Sequence, residues 1–156
     1  MKVVLKVILL ILFGAAVFMP MRGIPFYLYW MLFVLMFLTL FLYYYVAYYV
    51  GKKHVAQATR YYSMFVAMVP PMTSEDLIRG RLVVEPTQLA LYQKQGRTIT
   101  QVWSTSIDDL QSFSVGKVIG ARKGVTFTLE SGEEVSFAIS QIKKKQVHLK
   151  TALGWD

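Results

Sequence analysis

Three rhythms of hydrophobic and polar positions divide the chain. Residues 3–19 and 26–50 are almost continuously apolar, the second ending in "MLFVLMFLTLFLYYYVAYYV". From Ile78 onward the pattern turns to short alternating runs, as in "GVTFTLESGEEVSF", and the last segment moves to a helical period. Phe26 to Val50 gives 25 residues without a charge. At about 1.5 Å per residue they reach roughly 37 Å, more than the ~30 Å hydrocarbon core of a bilayer, so a transmembrane helix is expected. Its aromatic residues cluster at the ends, with Phe26, Tyr27, Tyr29 and Trp30 at one and Tyr43, Tyr44, Tyr45, Tyr48 and Tyr49 at the other. Rings with a polar edge favour the headgroup level, so Trp30, Tyr43, Tyr44 and Tyr48 read as interface anchors, joined by Lys52 and Lys53 just beyond.

Val3 to Met19 is a shorter candidate span, apolar apart from Lys6, whose long stem can carry its ammonium to the interface. A cleaved signal peptide is the alternative reading of this basic start and apolar run. "MPMRGIP" then forms a tight loop, with Pro20 and Pro25 ending one helix and opening the next, and a helical hairpin is expected. The loop offers only Arg22, whereas Lys2, Lys6, Lys52, Lys53 and Arg60 lie on the other side. Positive charge is retained inside, which places both termini in the cytoplasm and makes the protein an integral, two-span protein of the cell membrane.

In "GKKHVAQATRYYSMFVAMVPPMTSED" the chain leaves the apolar region, turns apolar again over Tyr61 to Val69, and stops at Pro70 and Pro71. A juxtamembrane helix is expected, either on the lipid surface with its aromatics inserted or packed on the following domain. His54 beside two lysines reads as an interfacial polar residue.

The alternating region breaks into "RLVVE", "QLALYQ", "TITQVWSTS", "LQSFSV", "VTFTLE" and "VSFAI", joined by turns such as "KQGR" and "SGEE". Connections this short require antiparallel neighbours. Ile139, Ile142, Leu149 and Leu153 then fall on one helical stripe, with Lys143, Lys144 and Lys150 outside it. A bent antiparallel sheet with one terminal helix covering its open end is the plan these patterns imply.

Charge sharpens the division. All nine acids lie from Glu75 onward, and 14 of the 17 bases lie in residues 51–156, leaving that part at 14 − 9 = +5. The first 74 residues hold no acid. Cysteine is absent, which excludes disulfides and thiolate metal sites.

The segments "RGRLVVEPTQLALYQK", "WSTSIDDLQSFSVGK", "GVTFTLESGEEVSFAI" and "KKKQVHLKTALGW" resemble the bacterial pleckstrin-homology-like (PH-like) domains, which are often attached to membrane helices. The resemblance runs over residues 77–155, about half the chain. It implies a small α+β domain, a partial barrel of about six to seven strands capped by a C-terminal helix, behind a two-helix transmembrane hairpin. Eukaryotic relatives that bind phosphoinositides usually carry a basic cluster in the first β-turn, which is read here as "EPT". The implied organisation is an anchor over 1–50, a juxtamembrane segment over 51–76 and a cytoplasmic PH-like domain over 77–156.

Groups that could perform chemistry do not converge in the sequence. Asp108 and Asp109 are adjacent and point different ways, which suits a turn or cap. Glu133 and Glu134 occupy a hairpin turn. Gly116, Gly120 and Gly124 lack phosphate-loop spacing, no nucleophile elbow occurs, and His148 has no evident partner. No catalytic residue, cofactor or metal is expected. An enzyme with a site formed only by the folded cleft is the residual alternative. Two basic groups, Lys117, Arg122 and Lys123 at a strand connection and Lys143, Lys144 and Lys145 in the last helix, are either a solvated face or a surface for anionic lipid. Nucleic acid is not expected as a partner, for no reading motif accompanies so modest a charge. The expected function is a membrane-anchored, non-catalytic interaction module whose partners are the bilayer and a membrane protein or a second copy. The alternative is an accessory subunit of a membrane transport or secretion complex.

Overall fold

The computed structural model describes residues 2–18, 25–70, 77–96 and 98–155. The chain separates into two compact units, Met1–Tyr49 and Val50–Asp156. The loop expected around Pro20, Arg22 and Gly23 lies outside the described residues.

In the first unit, α1 covers Lys2–Phe18 and α2 covers Phe26–Tyr48. Pro25 opens α2, where its fixed φ is pre-set and its carbonyl accepts from the Leu28 N–H at 3.0 Å. The Nζ of Lys6 lies 6.0 Å from the centroid of the Tyr43 ring. The start of α1 therefore meets the far end of α2, and the helices run antiparallel. Of the two, α2 is long and apolar enough to cross a membrane, while α1 is an apolar helix below that length. Thr39 does not interrupt α2, because its hydroxyl donates to the Leu35 carbonyl one turn back at 2.8 Å. Near the C-terminal end Tyr45 stacks on Tyr49 at 4.7 Å, and Tyr44 and Tyr43 both meet Tyr48.

The second unit begins with a 3-10 turn over Lys52–His54 and a short α3 over Ala56–Arg60. Seven antiparallel strands follow: β1 Tyr62–Val69, β2 Ile78–Val84, β3 Gln88–Gln95, β4 Thr98–Ser106, β5 Leu110–Ile119, β6 Arg122–Leu129 and β7 Glu134–Ala138. Helix α4, Ile142–Leu153, closes the order. The sheet runs β4-β3-β2-β1-β7-β6-β5, so β1 joins a four-stranded half to a three-stranded half and β4 and β5 are the edges. A helical N-terminal part, a seven-stranded antiparallel sheet and a C-terminal helix are compatible with a PH-like fold.

Two expectations change. Of the juxtamembrane helix expected within 51–76, Lys52–His54 and Ala56–Arg60 are helical, whereas Tyr62–Val69 is instead β1, which pairs with β2 from Tyr62↔Val84 to Met68↔Ile78 and with β7. Its alternation was hidden because both faces are covered, Met64, Val66 and Met68 by the main core and Ala67 on the other side. The "EPT" turn joins β2 to β3; the first connection between strands is Pro70 to Leu77, of which residues 71–76 lie outside those described.

The core holds Leu82, Leu89, Leu91, Val125, Phe127, Phe137 and Leu149, all fully buried. A smaller cluster forms on the opposite face of the sheet, where Val50, Val55 and Ala58 pack on Val83 with Tyr92 and Ile99 beside them. Arg81 is buried in that layer, its Nε donating to the Val50 carbonyl at 2.9 Å and an Nη to the Ser63 hydroxyl at 3.2 Å. Residues Val50 to Arg60 are thus a folded part of the domain.

Gly124 on β6 has no room for a side chain. A Cβ there would collide with the Phe137 carbonyl oxygen and stand 2.8 Å from Val118 Cγ2. Gly116, paired with it across the β5–β6 ladder, has open space around it. Gly124→Ala is therefore expected to destabilise the domain by about 1–3 kcal/mol through overpacking, with Gly116→Ala neutral or slightly stabilising. Thermal unfolding of the two variants measures the contrast. Phe137→Ala, which empties the centre of the core, is expected to cost about 3–5 kcal/mol.

Candidate functional site

The β5–β6 ribbon begins as alternation with serine and threonine outward and aromatic or branched residues inward, so it pairs from Leu110↔Leu129 to Ile119↔Arg122. Both strands run further than the sequence pattern suggests, leaving only Gly120 and Ala121 as the turn. Lys117 and Lys123 face each other in register near that tip, Arg122 starts β6, and all three are exposed.

Lys143, Lys144 and Lys145 are brought to the same end. The Ile139 N–H donates to the Lys123 carbonyl at 3.1 Å, which holds the exit of β7 against the start of β6. Gln141 then takes a left-handed conformation, φ 58°, and its carbonyl accepts from the Lys144 and Lys145 N–H groups as α4 begins. The two basic groups of the sequence therefore share one margin of the folded domain. Tyr62, the first residue of β1, adjoins it through its hydroxyl, which donates to the Lys145 carbonyl at 3.5 Å. His148, left without a partner in sequence, lies against the Tyr62 ring at 6.3 Å.

The other end of α4 is fixed by a Schellman motif. Gly154, φ 70°, lets its N–H reach the Thr151 carbonyl and the Trp155 N–H reach that of Lys150. Trp155 is thereby turned onto Phe113 of β5, stacking at 5.5 Å, with the Lys150 ammonium 5.8 Å from the centre of the same Phe113 ring.

Three exposed apolar residues between these fixed points escaped sequence reasoning: Val115 and Ile119 on β5 and Val147 on the outward side of α4, between Lys143, Lys144 and Lys150. The signal lay in the alternation of β5, since an apolar residue in phase with Phe113 but beyond the reach of α4 has no core to enter.

The acidic residues have the opposite placement. Asp108, Asp109, Glu130, Glu133 and Glu134 are all exposed and gather where β5 starts and β6 ends, drawn together by the Glu130 N–H donating to the Asp109 carbonyl at 2.8 Å. Ser106 and Ser131 accept from the Asp108 and Glu133 N–H groups, giving both acidic pairs a turn role. One ribbon thus carries cations at its tip and carboxylates at its base.

The residues expected to act as interface anchors fall in α2 and in the 3-10 turn that opens the second unit. Trp30 and Tyr44 are exposed on α2, Tyr43 and Tyr48 are half-buried there, and Lys52 and Lys53 are exposed in the 3-10 turn. Among the described residues no group of three or more His, Cys, Asp or Glu side chains could hold a metal ion.

No protein-family model and no curated protein matches the chain. Among solved structures, the C-terminal domain of an unknown protein from Leishmania infantum matches 65% of this chain and 93% of its own length, at 12% identity and a TM-score of 0.47. That likeness is too remote to bear on function.

Glu85 ties the β2–β3 turn together, accepting from Gln88 Nε2 at 2.7 Å and from the Tyr92 hydroxyl at 3.1 Å. Burial, the hydrogen bond and the charge of Glu85 push the Tyr92 phenol up to about 12, and burial also raises Tyr62. Both shifts favour the neutral phenol in the folded state. Their stabilisation is complete below the ordinary tyrosine value near 10 and is lost as pH climbs through the raised values. Tyr92→Phe is expected to cost about 0.5–1.5 kcal/mol at neutral pH and progressively less above about pH 10. Urea titrations on both sides of that range show whether the difference narrows.

Proposed function

We propose that this protein is a membrane-anchored, non-catalytic docking module, in which a two-span helical hairpin with both termini cytoplasmic carries a PH-like domain that recruits a partner in the same membrane. The anchor reading is supported by the length of α2, the antiparallel packing of α1 on it and the side bias of Lys and Arg. The observation that carries the docking reading is β4. It is an edge strand of nine residues, "TITQVWSTS", with neither a charge nor a proline. Proteins ordinarily protect such an edge with lysine, proline or a bulge, because its unpaired N–H and C=O groups accept another strand; β4 carries one irregularity, at Val102 opposite Leu91 and Tyr92, and regular runs on either side of it. The other edge, β5, carries Lys117.

A second reading rests on Tyr44 and Tyr45, exposed near the end of an apolar helix. Their phenols suit a neighbouring membrane protein as well as headgroups, which is the arrangement of an accessory subunit in a transport or secretion complex.

The test is isolation of the full chain from membranes in mild detergent, beside a Ser104→Lys variant that places a charge on the β4 edge. A stoichiometric membrane-protein partner or a defined homo-oligomer, lost in the variant while thermal stability stays within about 0.5 kcal/mol, is the expected result. A monomer unaffected by the variant, or a purified chain that turns over a substrate, would sink the proposal.

A further inference from the structure

The charge separation along the β5–β6 ribbon has a direction. From Leu110 to Ile119 the strand takes nine steps, about 30 Å at ~3.3 Å each. Lys117, Arg122 and Lys123 stand at the tip, and five carboxylates stand around the base. The sequences of β5, β6 and α4 contain no acid. At physiological ionic strength charges are screened within roughly 8 Å, so the two ends act independently on whatever surface they meet. The tip also exposes hydrocarbon, with Ile119 and Val115 each 41% accessible among the cations and Val147 beside Lys143 and Lys144 at 60%.

We infer that the β5–β6 tip and the outward side of α4 form a docking surface for an anionic bilayer, with Ile119 entering the headgroup layer between Lys117 and Arg122 and the acidic base turned away from the lipid. The inference rests on the anchoring proposed above, which keeps this surface beside a bilayer. Lipid is the occupant because the patch combines cations with exposed apolar side chains and no acidic residue, the combination an interface of anionic headgroups over hydrocarbon rewards. Each cation held at such a surface strengthens the contact about fivefold. Reversing three of them therefore removes the contact altogether.

The chain contains no cysteine, so single-cysteine labelling needs no background substitution. The full chain is reconstituted into vesicles, and carbonate washing first establishes that it is membrane-integral. A fluorophore sensitive to polarity is placed at Ala121→Cys in the tip turn, or at Ser131→Cys in the opposite turn. Vesicles are of phosphatidylcholine alone or with phosphatidylglycerol, with quencher-bearing lipid in each. The expected result is quenching of the Ala121 label in anionic vesicles only, weakened by high salt and abolished by Lys117→Glu/Arg122→Glu/Lys123→Glu, with the Ser131 label unquenched throughout. An Ala121 label that stays unquenched in anionic vesicles, quenching equal at both turns, or quenching that persists in neutral lipid or after charge reversal overturns the inference while leaving the anchoring intact. Release of the chain by carbonate overturns the anchoring itself, and the inference with it.

Discussion

A row of five aromatic rings holds together the two edges of a sheet that its hydrogen bonds leave open. Trp103 on β4 meets Phe137 on β7 at 5.3 Å, Phe137 meets Phe127 on β6 at 5.9 Å, Phe127 meets Phe113 on β5 at 6.1 Å, and Phe113 stacks on Trp155 beyond α4. Edge to edge, the row links β4 to β5 and both to the terminal helix. Each ring buries a large apolar area, and each pair adds about 0.5–1.5 kcal/mol through its geometry. Without the Phe113–Trp155 stack the C-terminal end of the helix, with Lys150, would lose its tie to β5, and its N-terminal half would be held by Ile142 and by the Tyr62 contacts to Lys145 and His148.

The outer face of the four-stranded half obeys a different constraint. Its central strand, β2, is buried on both sides, so Arg81 is taken from water in the middle of a sheet. A buried cation is tolerated only with its donors satisfied, and the Val50 carbonyl meets that need from the segment that covers it while the Ser63 hydroxyl meets it from the neighbouring strand β1. Loss of Arg81 would leave that carbonyl unpaired inside the layer, which is why Val50 to Arg60 behaves as domain and not as linker. The apolar residues of this segment, Val50, Val55 and Ala58, turn inward onto Val83, and Lys52, Lys53 and Arg60 turn out.

How much of this was legible follows from burial. Strands β3 to β7 lie mostly with one face to water, so their alternation appeared in the sequence and their order in the chain was read correctly, as was the helix that ends it. β1 was misread because the core covers one face and other residues much of the second, leaving "YSMFVAMV" as an apolar run without a period. The membrane-length helix was plain from composition, whereas the packing of α1 against it brings together residues far apart in sequence, such as Lys6 and Tyr43. The basic clusters were visible as clusters. Their meeting at one margin was not, because it depends on the β6–β7 pairing, which the bond from Ile139 to Lys123 extends, and backbone bonds leave no mark on residue type.

The strand pairing also explains why net charge was a poor guide. At +5, residues 51–156 look only mildly basic, and an average of that size predicts little about any partner. Folding sorts part of these charges, sending five carboxylates to the base of one ribbon and six cations to its tip and to the start of α4. A body with separated charges experiences a turning force near an anionic surface even when its total charge is small, and orientation is what such a force determines. The fold therefore converts a composition with little information into a direction, and only a docked α4 adds its lysines to the same end.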